Sequence, residues 1–333
     1  MSASLVAVIG VVVPLGLGWG VAAWLLPGSP TLVHVFVGAT LTATSIAITV
    51  RVLKSLGATQ TAEGRIIIGA AILDDVLGLM VLAVVGGMVT AAATGGPSLS
   101  GFAVAGILGK AVVFLGVTVG LGHFLSGPIV RLAARAGQPG MLLVIGLALC
   151  FTLAFAAERV GLAGIVGAFA AGLLLDPYGE GVRTRDEEAT LSELLHPLSS
   201  LFVPLYFVLM GMQVDVRSLA DPAGLGLGVV LLLVALVGKL ACALGVTARG
   251  VSRLAVGVGM VPRGEVGLIF AGVGTSLTLG GQPLLSPAVF SAVVLMVLVT
   301  TLVTPPALRR AFARAVAGGG GASEGSGPGA AGS

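Results

Sequence analysis

Charge is what this chain has least of. Only 9% of its 333 residues are Asp, Glu, Lys or Arg, against about 25% in an ordinary soluble domain. That scarcity excludes a soluble enzyme, a disordered protein and a nucleic-acid reader. Its two cysteines, Cys150 and Cys242, both lie in apolar runs, so no disulfide framework is expected. The three histidines, His34, His123 and His196, are scattered without ligand spacing. No resident metal centre or cofactor is expected from them. The first residues lack the basic stretch and cleavage site of a signal peptide, so residues 5–27 count as a genuine span.

Hydrophobic residues, by contrast, make up 56% of the chain, and mean hydropathy is +1.12. Glycine is 53 of 333 residues, and packed membrane helices use such small residues where backbones approach. The expected fold class is an all-α polytopic membrane protein. Apolar runs long enough for a hydrocarbon core of about 30 Å recur along the chain. Ten spans are predicted: 5–27, 33–53, 66–92, 101–126, 140–160, 161–176, 197–215, 223–248, 253–277 and 286–308. The sixth is short. Turn residues at Pro27–Pro30, Gly95–Pro97 and Gly280–Pro283 separate several of them. Residues 176–196 form one long polar loop with Arg183, Arg185, Asp186, Glu187 and Glu188, and LSELL at its end reads as a short interfacial helix. Residues 317–333 are Gly, Ala and Ser and read as a disordered tail.

Positive charge alternates between loops. Arg51, Lys54 and Arg65, then Arg131 and Arg135, Arg183 and Arg185, Arg249 and Arg253, and Arg309, Arg310 and Arg314 fall on one side; only Arg159 and Arg217 fall on the other. With ten spans, the positive-inside rule puts both termini in the cytoplasm.

Three basic residues remain, and they lie inside spans together with three acids: Lys110, Lys239 and Arg263, with Asp74, Asp75 and Glu265. A charge at mid-bilayer costs at least about 2.5–3.5 kcal/mol on insertion scales, so each needs a function or a partner. Asp75 follows Arg65 by ten residues, Lys239 precedes Arg249 by ten, and Arg263 follows Arg253 by ten. Ten residues of helix cover about 15 Å, half the apolar core. Three spans therefore bring ionisable groups to the midplane, where transporters place their sites. The span 33–53 carries Thr44 and Ser45 at the same depth, among further hydroxyls at Thr40, Thr42 and Thr49. Such hydroxyls satisfy backbone freed by a helix break. Met260-Val261-Pro262-Arg263-Gly264-Glu265 announces a second break, with a proline that lacks a donor and a glycine beside it. Lys110 reads as a snorkelling or interface residue, and Glu158 and Arg159 as anchors at a membrane edge. Gln213, near the end of its span, has no assigned role.

The strings GATLTATSIAITVRVLKSLG (38–57), GAAILDDVLGLMV (69–81), PLSSLFVPLYFVLMGMQVD (197–215), VGKLACALG (237–245) and GMVPRGEVGLIFA (259–271) occur in that order. They resemble the monovalent cation:proton antiporter-2 family, the sodium/hydrogen exchanger domain of NapA- and Kef-type proteins. The resemblance implies an inverted-repeat antiporter fold with two crossing broken helices, here 33–53 and 253–277. It implies core helices at about 5–92 and 223–308, linker and interface helices at about 101–215, and a membrane domain over 1–316. It further implies that Asp75 binds the transported cation, that Asp74 pairs with Lys239, and that Thr44 and Ser45 sit in the unwound part of the first crossing helix. Arg263 and Glu265 form a structural network at the second. Two departures stand out. The family has further helices ahead of the span 5–27 that help form a homodimer, and Kef-type systems carry a nucleotide-binding domain after the membrane part.

Adjacent helix residues point about 100° apart, so Asp74 and Asp75 face different surroundings. One midplane carboxylate that holds either a proton or a cation, never both, suffices for antiport, and sodium prefers hard oxygen ligands. The expectation is an electrogenic Na+ or K+/H+ antiporter, with those ions and the lipid bilayer as its partners, in a bacterial inner membrane. Kef-like potassium/proton exchange or efflux and a truncated inactive copy of the family are the alternatives. A channel would show a filter or charged ring, and an intramembrane aspartyl protease would bring its two aspartates from different helices.

Overall fold

The computed structural model describes residues 1–93, 101–135, 140–175, 190–217 and 221–319. The described residues are almost wholly helical. They form α1 (Ser2–Leu25), α2 (Thr31–Thr40), α3 (Ile46–Ser55), α4 (Ala62–Ala93), α5 (Gly101–Arg135) and α6 (Met141–Arg159). These are followed by α7 (Gly164–Leu175), α8 (Leu191–Met212), α9 (Pro222–Leu240) with a 3-10 turn (Ala241–Gly245), α10 (Arg253–Gly259), α11 (Glu265–Ser276) and α12 (Pro287–Gly319).

Among the described residues, seven helices are long and apolar enough to cross a membrane. The other three predicted spans are the short sixth, found as α7, and the two with internal breaks. The span 33–53 divides into α2 and α3, and 253–277 into α10 and α11. Local chemistry explains where they stop. At the end of α2, the Thr40 and Thr42 hydroxyls donate to the carbonyls of Val37 and Ala39, at 2.7 and 2.8 Å. These bonds satisfy carbonyls that a continuing helix would have bonded. Pro262 ends the path of α10, and Glu265 opens α11 with a negative charge at the positive end of its dipole. Ser252 caps α10 through the amide of Ala255, and Glu63, in the first turn of α4, accepts from the amide of Ser252 at 2.9 Å. Gly57 closes α3 at φ +64°, with its own amide on Lys54 and that of Ala58 on Leu53. That is a Schellman ending, which needs a left-handed residue.

Contacts divide the described residues into two compact units. The first draws on 1–78, 214–272 and 285 onward; the second on 79–213 and 273–284. The first unit is centred on Leu53, Ile67, Ala70, Cys242, Val256, Met260 and Leu308. The second has two smaller clusters, one around Ala83, Ala111, Val166 and Ala170, the other around Leu142, Leu174 and Leu191.

Three expectations are corrected. LSELL is not a separate interfacial helix: it is the first turn and more of α8, which runs unbroken from Leu191 because Thr190 and Glu193 form a reciprocal capping box. Gly280 and Gly281, at φ +62° and +81°, turn a two-residue β-hairpin, β1 (Thr278–Leu279) with β2 (Gln282–Pro283), in an otherwise all-α fold. α12 continues to Gly319, so residues 317–319 of the expected tail are helical. Residues 320–333, the turn at Gly95–Pro97 and the charges Arg183, Arg185, Asp186, Glu187 and Glu188 lie outside the described residues. Lys110 is exposed on α5, Arg159 lies over the Phe155 ring at 4.6 Å, and exposed Gln213 bonds back to the Leu209 carbonyl.

Candidate functional site

Every site residue singled out from the sequence belongs to the first unit. The two breaks meet there. The Ser45 amide donates to the Pro262 carbonyl at 2.8 Å. The Thr49 hydroxyl donates to Gly259 at 2.8 Å, and Thr44 reaches Met260 at 3.4 Å. Each broken segment thus satisfies backbone groups that the other frees. A buried backbone polar group left alone costs about 1–3 kcal/mol, so the breaks stabilise each other. Gly264 allows the approach: a Cβ there would fall 2.6 Å from Ser45 Oγ and 2.7 Å from Ser45 Cβ.

Arg263 lies in the second break and is fully buried. Among the described residues it has no ion-pair partner; its guanidinium donates instead to the carbonyls of Ala43, in the first break, and Ala235, on α9. Thr301 of α12 donates to the Arg263 carbonyl. A cation thereby compensates the Ala43 carbonyl that unwinding has exposed. The hydroxyl of Ser45 donates to Glu265 Oε2 at 3.1 Å, so Glu265 is tied to the first break from the opposite side.

The aspartates on α4 face different surroundings, as their 100° separation requires. Asp74 is fully buried and its Oδ1 lies 2.8 Å from Lys239 Nζ, also fully buried. Asp75 is only half-buried. It lies within electrostatic reach of Asp74, Glu265 and Lys239. Asp74, Asp75, Glu265, Lys239 and Arg263 thus form one coupled cluster. With all five ionised it carries three negative and two positive charges, a net charge of −1. Asp74 Oδ2 and Arg263 Nε have no hydrogen-bond partner among the described residues. No cluster of His, Cys, Asp and Glu that would hold a resident metal occurs among them either.

The sequence reading did not pick out Thr301, Cys242 or Gly10. Cys242 stands three residues past Lys239, on the same face of its segment. Gly10, on α1, lies against both Cys242 and the ion pair.

These features, two mutually bonded helix breaks beside a buried Asp–Lys pair, mark the core of a membrane protein, and the comparisons give its family. The family described as "Sodium/hydrogen exchanger, transmembrane" matches residues 1–313. The chain belongs to that family. It is 40% identical to the High-affinity Na(+)/H(+) antiporter NhaS3 of Synechocystis sp., over 93% of this chain and 65% of the relative. It is 31% identical to the Na(+)/H(+)-K(+) antiporter GerN of Bacillus cereus, over 84% of this chain and 67% of the relative. The chain thus spans about two thirds of the length of these curated relatives. The solved structure of the sodium proton antiporter MjNhaP1 from Methanocaldococcus jannaschii superposes with a TM-score of 0.64 at 16% identity, covering 96% of this chain and 77% of the other. The fold is therefore that of the antiporters, and the chain is a multi-pass membrane protein.

Proposed function

We propose that this chain is a monovalent cation/proton antiporter in which H+ and a sodium or potassium ion take turns at Asp75. The observation that carries the reading is the half-buried Asp75 carboxylate beside the fully buried Asp74–Lys239 pair. The net charge of −1 on the cluster supports it. One proton or one alkali cation brings that charge to zero, and both together overshoot it. Asp75 and Glu265 are the two carboxylates of the cluster that are not fully buried, and Glu265 is engaged by the Ser45 hydroxyl, which leaves Asp75 to accept either. Hard oxygens for a desolvated cation stand close by, at Thr44, Ser45 and the carbonyls of the two breaks.

Lys239 gives Asp74 its counter-ion, and a proton released from this pair on cation entry makes the exchange electrogenic. Two protons for one cation move one net charge, worth about 2.3 kcal/mol per 100 mV of membrane potential. Arg263 and Glu265 hold the two breaks together in this reading and do not bind the ion. The alternating loop charges support cytoplasmic termini in a bacterial inner membrane, and the family resemblance supports a homodimer. Potassium is the second reading for the ion, favoured by the name of the Bacillus cereus relative, a Na(+)/H(+)-K(+) antiporter.

The test is cation-induced collapse of a pH gradient in proteoliposomes of the full chain, comparing sodium, lithium and potassium. Sodium- or potassium-dependent exchange, with current on solid-supported membranes, is expected. Exchange without current refutes the stoichiometry. No exchange with any of the three cations identifies an inactive copy.

A further inference from the structure

α1 carries none of the charged residues of the site, yet it closes one side of it. Its buried residues include Val6, Ala7, Gly10, Val11, Pro14, Gly18 and Ala22, one face at helical spacing. Three small or rigid residues on that face make close contacts. Gly18 approaches Leu41 and the backbone of Gly38, and Pro14 packs against Gly238. Gly10 is different in kind. A Cβ on Gly10 would lie 2.9 Å from Cys242 Sγ, 3.3 Å from Asp74 Oδ1 and 3.4 Å from Lys239 Nζ. At Gly245, the other close approach between α1 and this region, the neighbours are backbone atoms of Leu5 and Val6. At Gly10 all three are side-chain heteroatoms, and two of them are the ion pair itself.

We propose that Gly10 is a positioning residue for the Asp74–Lys239 pair: the missing side chain on α1 sets the space in which the ammonium and the carboxylate meet. The inference rests on the antiport reading above. A methyl at this place has two effects. It forces the Cys242 sulfur aside, because 2.9 Å is closer than a carbon–sulfur contact allows. It also presses on Asp74 Oδ1, which accepts from Lys239 at 2.8 Å. That bond must then lengthen or tilt, and a charge-assisted hydrogen bond is sensitive to both. The groups that the pair and Asp75 interact with electrostatically are Cys242 on the 3-10 extension of α9, and Arg263 and Glu265 at the second break, while Asp74 and Asp75 also act on each other along α4. A shift in the pair is therefore felt at Asp75, and the competition between proton and cation changes with it.

The experiment measures exchange in proteoliposomes of the full chain for the parent, Gly10→Ala, Cys242→Ala and the double variant. Sodium concentration and pH are varied, and thermal unfolding is followed in parallel. Cys242→Ala removes the 2.9 Å contact and leaves those to Asp74 and Lys239 in place. Gly10→Ala is expected to raise the half-saturating sodium concentration several-fold and to displace the pH profile. The double variant is expected to recover the parent's unfolding temperature while keeping the displaced profile. A folded Gly10→Ala with the parent's profile overturns the proposal. A double variant with the parent's profile also overturns it, since the sulfur contact alone would then account for the effect. If neither variant folds, Gly10 is purely structural and the proposal falls. A parent that exchanges no cation overturns the antiport reading and this inference with it, a result distinct from an active parent whose exchange is indifferent to Gly10.

Discussion

Removal of the Lys239 ammonium leaves Asp74 stranded. Its Oδ1 loses the 2.8 Å partner, and Oδ2 already has none among the described residues. Both side chains are fully buried, so water does not replace the lost contact. Breaking a buried pair by removing one partner costs about 3–5 kcal/mol. Lys239→Met keeps the apolar stem and its packing, so most of that cost reflects the abandoned carboxylate. At about 2 °C per kcal/mol for a chain larger than a small domain, the unfolding midpoint falls by roughly 6–10 °C. Asp74→Asn should lose a comparable amount, because it leaves the ammonium without its counter-charge. The double variant Asp74→Asn/Lys239→Met removes both charges and should lose less than the sum of the two single losses, by a coupling energy of about 2–3 kcal/mol. Thermal unfolding of the four purified proteins in one detergent closes the cycle. A Lys239→Met midpoint equal to the parent's, or losses that simply add in the double variant, would refute the claim that the pair is a buried, energetically coupled unit.

Further outcomes test other parts of the structure. Gly264→Ala sets a methyl 2.7 Å from Ser45 Cβ, an atom that no rotamer change can move. It should part the two breaks, cost about 1–3 kcal/mol and abolish exchange, as read by unfolding and proteoliposome assays together. Arg263→Met orphans the carbonyl of Ala43 and removes a second donor from that of Ala235. At about 1–3 kcal/mol for each unsatisfied group it should lower the yield of folded protein sharply, and Arg263→Lys should restore part of it. Thr190→Ala breaks the capping box of α8, in the other unit. It should cost about 1 kcal/mol in unfolding experiments and leave the half-saturating cation concentration unchanged.

The helices were legible because the bilayer imposes a crude and strong rule: long apolar runs with few charges. The second break was legible from Pro262 and Gly264, which signal it locally. The first has neither residue, and only Thr44, Ser45 and their neighbouring hydroxyls hinted at it. The Asp74–Lys239 pairing came from family resemblance and depth, since nothing in either segment names its partner. Arg263 was visible as a buried charge, but its acceptors are backbone carbonyls, which no side-chain pattern encodes. Gly10 was invisible for a related reason. A glycine among 53 glycines carries no signal until the packing shows what a side chain would strike. LSELL was read as interfacial because it closes a long polar loop; the Thr190–Glu193 cap starts α8 there and makes the stretch its first turns.

The most direct measurement is of proton release when cation binds. Sodium and potassium are titrated into purified protein in weakly buffered detergent solution, with a pH indicator counting protons against cation bound. The proposed competition requires at least one proton expelled per cation in the parent, and neither binding nor release in Asp75→Asn. Cation binding that expels no proton, or full release from Asp75→Asn, would contradict it.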